Sequence, residues 1–376
     1  SLRSLTGGDP KVVRVRRSSG GEQDFTASEV ASGAMLSYVT EARTGWNIQA
    51  TFNDSTATIT SASSTATTST VSFTGSGVTR VLPKSNYVAA EAGDQVVFNM
   101  SVSGLDSAMT FRIRKASSNT TVGTATVNNG DNQDVTLNLT ASSGYTGGYP
   151  HFTADAGSGE ATVTINSVTV NGKSGFVETW YDQSGNSKDA TQTTASLQPK
   201  IVNAGSLLTD GIDFDQTSQA GLITGSFSLT QAFTTFSVSH IDDASASQGI
   251  WSTAASATDN FNTASFFRND DGFAVNAGAT LTTAGTIDYV ADRTYLQTNV
   301  VNGGSSSIFV DGATGATGNA GSTNPSGVLI IGYFKSGGYF NLDGAIKEVI
   351  IYDSDQTSNR VALETNIAAA NGVTLS

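Results

Sequence analysis

Cysteine, proline and charge are all scarce in this sequence. None of its 376 residues is cysteine and only five are proline. Without cysteine the chain can form neither a disulfide framework nor a thiolate metal site. Charged residues make up 14% of the chain, against a usual share of about 25%, which excludes disorder driven by charge. No apolar run reaches the roughly 18 residues of a membrane-spanning helix, and the best, residues 328–334, has the length of a strand.

The charges that are present are mostly negative. Nineteen Lys and Arg residues are set against 32 Asp and Glu residues, a net charge of −13. Such a field opposes nonspecific binding to nucleic acid and to anionic lipid, so neither nucleic acid nor a membrane is predicted as a partner. The sequence begins at Ser1 without an initiator Met or an apolar signal region, which predicts a processed or excised product.

Glycine and small polar residues fill the composition, and their pattern is typical of β-strands. Apolar and polar residues alternate with period two, as in residues 136–139 and 161–165. Pairs such as Asn171-Gly172 and Asp311-Gly312 are turn signals between these runs. Many short strands at regular spacing predict an all-β protein made of sandwiches or barrels.

Helices are predicted at two places only. Near the C-terminus, Ser354 or Asp355 can cap a helix that runs to about Ala370, and Asn371-Gly372 supplies its end. Near the start, Thr26-Ala-Ser-Glu29 has the pattern of a capping box that opens a short helix through Leu36 and Tyr38.

Two tracts have unusual composition. Residues 53–74 are almost all small and hydroxylated, and their spaced apolar residues favour exposed strands over a disordered linker. Gly312, Gly315, Gly318 and Gly321 recur with period three, but collagen-like pairing needs more triplets and more proline. This second tract is therefore predicted to be a glycine-rich surface loop.

Histidine-based nucleophilic catalysis has only two candidates, His151 and His240. His240 follows residues at strand spacing and is predicted to be a half-buried structural imidazole. His151 lies in a turn rich in aromatic residues and glycine, with Tyr145 and Tyr149. Rings presented on such a loop can stack on sugars, and a histidine can hydrogen-bond hydroxyl groups, whereas the alternative for each ring is packing within the loop. We take Tyr145, Tyr149 and His151 as candidate ligand-binding residues, together with Trp46.

Paired carboxylates are the requirement for glycoside hydrolysis. The candidates are Glu178 with Asp182, and Asp213 with Asp215, which strand alternation places on one face. The same oxygens could instead bind Ca²⁺, although no EF-hand loop is present. No catalytic residue, metal ligand or cofactor is assigned, the possibility of Ca²⁺ stays open, and Asp182 is added to the candidate ligand-binding residues.

The basic residues cluster near the start of the chain. They offer either a site for an anionic partner or, the interpretation favoured here, a solvated strand face with internal ion pairs to the acidic majority. The cluster consists of Lys11, Arg14, Arg16 and Arg17.

The run Trp180-Tyr-Asp-Gln-Ser-Gly-Asn186 carries a family resemblance. Together with 14–19, 22–24, 212–215, 308–312 and 343–352, it resembles the concanavalin A-like, laminin-G-type jelly rolls of bacterial and phage proteins. Among named families, it resembles the catalytic domains of family 54 α-L-arabinofuranosidases. That family has a vicinal cysteine pair at its substrate pocket, and this chain has no cysteine. The resemblance therefore implies contact with glycans without hydrolysis.

About 130 residues separate the two parts that resemble the jelly roll. The intervening segment resembles the galactose-binding-like type of carbohydrate-binding sandwich, through Gly45-Trp46 and its closing strand at 161–170. The predicted domains are a discontinuous concanavalin A-like jelly roll, 1–40 and 174–376, and an inserted carbohydrate-binding-module-like β-sandwich, 41–173. Such an insertion is reasonable where its ends lie close together at the surface.

The predicted function follows from this resemblance. We expect a phage virion surface protein, a receptor-binding or fibre module or a capsid decoration, that binds polysaccharide and is located at the virion surface or outside the cell. Its expected partners are a polysaccharide or cell-surface glycan, other virion proteins and further copies of itself. The alternatives are a purely structural virion protein without glycan binding, and a secreted glycoside hydrolase of the arabinofuranosidase type.

Overall fold

The computed structural model describes most of the chain, and it is built almost entirely of antiparallel strands. The described residues are 2–5, 7–17, 21–40, 46–47, 58–64, 68–80, 82–83, 95–115, 120–139, 148–171, 174–215, 220–243, 246–267 and 272–376.

The strands of the first half are numbered in chain order: β1 (Lys11–Arg17), β2 (Glu22–Thr26), β3 (Trp46–Asn47), β4 (Thr58–Ser64), β5 (Ser69–Arg80), β6 (Leu82–Pro83), β7 (Gln95–Ser103), β8 (Ser107–Lys115), β9 (Thr121–Val127), β10 (Gly130–Asn138), β11 (Gly148–Asn171), β12 (Gly175–Trp180), β13 (Ala190–Thr191), β14 (Lys200–Asn203), β15 (Ser206–Leu207) and β16 (Ile212–Phe214). The strands of the second half are β17 (Leu222–Ile223), β18 (Phe227–Ser228), β19 (Phe233–Ile241), β20 (Gln248–Ala254), β21 (Thr263–Phe267), β22 (Phe273–Asn276), β23 (Thr280–Thr282), β24 (Arg293–Val301), β25 (Ser306–Val310), β26 (Ala313–Gly318), β27 (Ser326–Ile331), β28 (Tyr333–Ser336), β29 (Gly338–Asn341) and β30 (Gly344–Tyr352). The helices are α1 (Ala27–Ala31), α2 (Ala34–Thr40) and α3 (Arg360–Asn371), with single 3₁₀ turns at Ala195–Leu197 and Gly303–Ser305.

The jelly roll consists of two layers of antiparallel strands. One layer runs β16–β30–β19–β24–β25–β26. The other runs β17–β27–β20–β21–β22–β23. Strands β1, β2 and β12 to β14 connect them, because β14 pairs with β16 and β13 pairs with β17.

The main apolar core lies within this jelly roll. Alternate side chains of each strand point inward, so Phe233, Tyr295, Phe273 and Trp251 all belong to one buried cluster. A second, smaller cluster forms where α3 packs on the opposite face of β19 and β24, and Phe236 lies within it.

Seven of the eight strands between residues 58 and 171, β4, β5 and β7 to β11, form a separate sheet around a core of their own, and β6 pairs with β3 instead. Its long strand β11 pairs with β5 along both halves on one side, and on the other side with β8 along its first half and with β7 along its second half. The sheet thereby folds over itself, and Phe98 of β7 meets Phe111 of β8 across the core at 4.8 Å between ring centroids. The predicted fold class is confirmed: the chain is all-β, with a second β-sandwich between the first strands of the jelly roll and the rest, and a short C-terminal helix. The domain boundaries at 40/41 and 173/174 stay a prediction.

The helices occur where the sequence predicts them but differ in their bounds, and the N-terminal one is divided into α1 and α2 by a turn at residues 32–33. The capping box is present: the Thr26 hydroxyl accepts the N–H of Glu29, whose side chain accepts the N–H of Thr26. Gly372 ends α3 with a φ of +70°, as predicted. The predicted start of α3 at Ser354 or Asp355 is wrong, because Asp355 instead caps a turn at the N–H of Thr357 and the helix begins at Arg360. No described helix is long and apolar enough to cross a membrane.

The predicted glycine-rich loop is wrong for Gly315 and Gly318, which lie in a strand, whereas Gly312 lies in the turn before that strand and Gly321 in the connection after it. Ala313–Gly318 is strand β26, paired with β25. An added Cβ on Gly315 would lie 2.5 Å from Cγ2 of Thr283, so the absence of a side chain is what lets the strand pack there. Residues 58–64 and 69–74 of the hydroxylated tract are strands, as expected, and 53–57 lie outside the described residues.

Candidate functional site

The segment 180–186, which carries the family resemblance, stabilises the jelly roll. Trp180 is buried in the main core. The Asp182 carboxylate accepts the backbone N–H groups of Ser184 and Lys188, each at 2.9 Å, and the Ser184 hydroxyl at 2.9 Å. Burial opposes ionisation of Asp182, but the hydrogen bonds from Lys188 and Ser184 outweigh it and lower its pKa. Asp182 therefore shapes its own loop, and its contact with a glycan stays a prediction.

Gln183 of the same segment holds the start of the chain. Its side-chain amide donates from Nε2 to the carbonyl of Arg3 at 3.0 Å, and its Oε1 accepts the N–H of Leu5 at 2.9 Å. The Arg3 guanidinium forms an ion pair with the carboxylate of Glu348 in β30, with nitrogen-to-oxygen distances of 3.3 Å. The Gln183 side chain thus donates one hydrogen bond to the backbone of residues 3–5 and accepts another, as a neighbouring strand would. These two bonds hold residues 3–5 against the sandwich.

The basic residues make internal ion pairs, as the sequence analysis favoured. Asp24 accepts Nε of Arg14 at 2.6 Å, Nζ of Lys11 at 2.5 Å and the hydroxyl of Tyr181 at 2.7 Å. The hydrogen bond from Arg14 is the main reason that the pKa of Asp24 lies well below its usual range. Burial, with the hydrogen bond to Asp24, raises the pKa of Tyr181 to about 12. Glu178, the other carboxylate candidate in this region, has Oε2 3.9 Å from Nε of Arg14.

Arg16 and Arg17 are likewise engaged within the chain. The Arg16 guanidinium donates to the side chain of Gln198 at 2.6 Å and lies over the ring of Phe176. Arg17 lies over the ring of Tyr38.

The second carboxylate pair belongs to an acidic end of the jelly roll. Burial is the main reason that the pKa of Asp213 is raised, and the negative charges of Asp242 and Asp215 raise it further. The positive charge of Lys200 acts in the opposite direction but does not outweigh them. Burial, followed by the charge of Asp242, also raises the pKa of Asp343. Throughout the described ranges, no group of three or more His, Asp or Glu side chains is arranged to hold a metal ion.

Both histidines lie in described strands. His240 is half-buried in β19, with Nε2 3.2 Å from Asp242 and Nδ1 3.1 Å from the Thr294 hydroxyl. This matches the structural role that was predicted for it. His151 lies in β11 opposite Arg112 of β8, and its ring is 1% exposed. A ring so buried is not presented on the surface, in contrast to the loop position that the sequence predicted.

The aromatic candidates are less completely described. Trp46 lies in β3, paired with Pro83 of β6, and Tyr149 lies in β11, paired with Arg114 of β8; their side chains lie outside the described part. Tyr145 falls outside the described residues altogether. Stacking of these three rings on a sugar stays a prediction.

A different surface of the seven-stranded sheet concentrates polar groups. Four neighbouring strands, β4, β5, β11 and β7, each contribute hydroxyls to the face opposite the core, and the register aligns them in two straight rows. We call this surface the hydroxyl face; its rows are Ser61–Ser72–Thr162–Ser103 and Ser63–Thr70–Thr164–Ser101.

Hydrogen bonds fix the side chains of the hydroxyl face. Thr70 and Thr164 share a bond of 3.0 Å between hydroxyl oxygens, and Ser72 and Thr162 share one of 2.8 Å. Beside Ser101, the Asn166 amide donates to that hydroxyl at 3.3 Å.

A group of amides extends the second row. Asn166 also donates to Oδ1 of Asn99 at 3.0 Å and to Oδ1 of Asn132 at 3.2 Å. Asn99 in turn donates to Asp134 of β10 at 2.8 Å. The face therefore continues as neutral hydroxyl and amide groups up to the exposed carboxylate of Asp134. A second exposed carboxylate, that of Glu160, lies on the same face two residues before Thr162 and accepts the Thr60 hydroxyl.

Sequence reasoning identified these strands but missed the face. Alternation in 69–74 and 161–165 shows which residues point away from the core. It does not show that Thr164 lies beside Thr70 on one side and Ser101 on the other, because register depends on pairing between distant strands.

The chain has only distant similarity to known proteins. No family model matches the chain, and no curated protein does either. Among solved structures, a native heptameric SAP-like pentraxin from Limulus polyphemus is 15% identical, over 42% of this chain and 82% of that one, with a TM-score of 0.32. A candidate carbohydrate-binding protein from Bacteroides ovatus is 13% identical, over 84% and 83%, with a TM-score of 0.33.

A mutant of Trypanosoma rangeli sialidase displaying trans-sialidase activity is 13% identical, over 52% of this chain, with a TM-score of 0.34. This chain spans only 32% of that sialidase. At such low identities and TM-scores, none of these similarities carries an argument about what the chain binds.

Proposed function

We propose that this chain binds polysaccharide at the surface of a phage virion, as a receptor-binding or fibre module or a capsid decoration, and that the hydroxyl face holds the glycan. The observation that carries the proposal is the pair of aligned rows, each with one hydroxyl from each of four adjacent strands.

The chemistry of the face suits a neutral glycan. Hydroxyl groups both donate and accept, so each paired hydroxyl of the rows keeps a further donor or acceptor position for a sugar hydroxyl. Neighbouring strands lie about 4.7–4.9 Å apart, which repeats the donors and acceptors at a fixed interval across the sheet. Neither row contains a charged residue, and the net charge of −13 opposes polyanions, so an uncharged polysaccharide is favoured.

The location on a virion is the part of the proposal that rests on the sequence. It follows from the resemblance of Trp180-Tyr-Asp-Gln-Ser-Gly-Asn186 to jelly rolls of phage proteins. Stacking of Trp46, Tyr145 and Tyr149 on sugar rings belongs to the same proposal, and so does an extracellular location. His151 is left out of it because its side chain is buried.

The test is a glycan-array and polysaccharide pull-down experiment on two matched variants. Thr162→Lys with Thr164→Lys puts two long cationic side chains in the middle of the rows, and we expect binding of a neutral polysaccharide to fall at least tenfold. The control is Thr124→Lys with Thr126→Lys, two exposed positions on β9, where binding should not change. Circular dichroism of both variants checks that each is folded.

The remaining outcomes decide between the alternatives. If binding is retained by the face variant but lost in Trp46→Ala and Tyr149→Ala, these aromatic residues bind the glycan and the hydroxyl face does not. Absence of binding to every glycan, with normal incorporation into particles, would favour the purely structural role. Cleavage of arabinan, xylan or an aryl glycoside by the wild type, abolished in Asp213→Asn, would establish a hydrolase instead.

A further inference from the structure

The middle of the jelly-roll interior is polar. Along β19, the residues that face the main core begin with Phe233 and end with Ile241, both members of the apolar cluster. Between them the same face carries Thr235, Ser237 and Ser239, all 0% exposed. Side chains at i and i+2 of a strand share a face, so three consecutive inward positions are hydroxyls.

The neighbouring strand β24 repeats the pattern. Tyr295 and Val301 belong to the apolar cluster, and Gln297 and Asn299 lie between them, both 0% exposed. The register places Gln297 beside Ser237 and Asn299 beside Thr235. We call the five inward residues of these two strands, Thr235, Ser237, Ser239, Gln297 and Asn299, the polar seam.

Part of the seam is hydrogen-bonded within the protein. Nε2 of Gln297 donates to Oδ1 of Asn299 at 2.9 Å. Nδ2 of Asn299 donates to the Thr235 hydroxyl and to the Ser265 hydroxyl, both at 3.2 Å. Because Ser265 belongs to β21 of the other layer, the seam joins the two layers through their polar side chains.

The rest of the seam has no partner within the described chain. Oε1 of Gln297 and the hydroxyl oxygens of Ser237 and Ser239 are buried and make no hydrogen bond. On the facing layer the same holds for Nε1 of Trp251, which is paired in register with Ser265. Buried polar atoms in proteins are nearly always hydrogen-bonded, to the protein or to ordered water.

We propose that the polar seam is a binding site for a short chain of ordered water molecules inside the jelly roll. The unsatisfied atoms fit water: Oε1 of Gln297 only accepts, Nε1 of Trp251 only donates, and the serine hydroxyls do both. Water supplies donors and acceptors together and typically makes about three bonds to such groups. A metal cation would need several oxygen ligands and would be repelled by an indole N–H.

The ordered water, together with side-chain packing, would then maintain the geometry of the polar seam. The apolar residues at both ends of the seam, Phe233 and Ile241 on β19 and Tyr295 and Val301 on β24, separate it from solvent. Water held there exchanges only when the layers open, so its residence time is long compared with surface water.

The test combines an atomic-resolution crystal structure of the full chain with oxygen-17 magnetic relaxation dispersion, which detects long-lived internal water. We expect electron density for water within hydrogen-bond distance of Gln297 and Ser237, and a dispersion signal. The double variant Ser237→Ala with Ser239→Ala should lose a large part of that signal. The control is Thr234→Val on the same strand, where a buried hydroxyl already donates to the Ser354 carbonyl and accepts the N–H of Gln356, and the signal should not change.

Two results would overturn the proposal. One is a wild-type crystal structure in which Gln297 and the two serines form hydrogen bonds directly with each other and no electron density for water lies along the seam. The other is a folded double variant whose dispersion signal equals that of the wild type. The wild-type structure decides alone if the double variant does not fold.

Discussion

At the scale of single residues, the polar side chains near the start of the jelly roll serve the fold. Asp24 gathers charge-assisted hydrogen bonds from Arg14 and Lys11 and a third bond from Tyr181. Gln183 fastens residues 3–5. A sequence run that resembles a family can therefore be explained by packing and hydrogen bonding, without a ligand.

Asp24 gives a prediction with a defined pH dependence. Its pKa is lowered in the folded state, so its contribution to stability is present above the unfolded pKa of about 3.9 and is lost as the pH falls below that value. We expect Asp24→Asn to lower the free energy of unfolding by about 2 kcal/mol at neutral pH. Urea denaturation should show this difference shrinking between about pH 4 and about pH 2.

The matched control for Asp24 is Asp131→Asn, an exposed carboxylate on β10. It should change the free energy of unfolding by no more than about 0.5 kcal/mol. A loss for Asp24→Asn that stays constant from neutral pH to strong acid would contradict the ion-pair explanation.

At the scale of elements, local signals set where strands and helices end. The Thr26–Glu29 capping box and the C-terminal Gly372 act through bonds to residues a few positions away, so the sequence contains them directly. The start of α3 differs because Thr234 of a distant strand binds the N–H of Gln356 and holds that turn out of the helix.

The end of α3 provides a second prediction. Gly372 has a φ of +70°, and no heavy atom lies within 4 Å of an added Cβ. The only cost of a side chain there is therefore the strain of the left-handed backbone conformation. We expect Gly372→Ala to destabilise the protein by about 1 kcal/mol. Gly225→Ala, also in open space but without a positive φ, is the control and should be neutral or slightly stabilising. Equal effects of the two substitutions on the unfolding midpoint would refute the strain argument.

At the scale of the whole molecule, the chain holds two large apolar cores that share no residue. The main cluster contains no described residue between 58 and 171, and the cluster of the seven-stranded sheet contains none outside that span. Each core therefore contributes its own buried area, and we expect the two to unfold separately.

Calorimetry of two core variants tests this expectation. Phe111→Ala should remove about 3–5 kcal/mol from the seven-stranded sandwich and shift only one of two unfolding transitions. Phe273→Ala should shift only the other. A single transition that moves in both variants would show that the two cores unfold as one unit.

The sequence alone determined the all-β class, the capping box at Thr26, the helix end at Gly372, the internal use of the basic residues and which side chains of 69–74 and 161–165 point away from the core. These features depend on local periodicity and on residues a few positions apart. The hydroxyl face and the polar seam were decided only by the tertiary structure. Thr164 meets Ser101, and Ser237 meets Gln297, across gaps of about sixty residues, and a shift of one residue in register would reverse every side chain. Register depends on the combined pairing of distant strands, which no single segment contains.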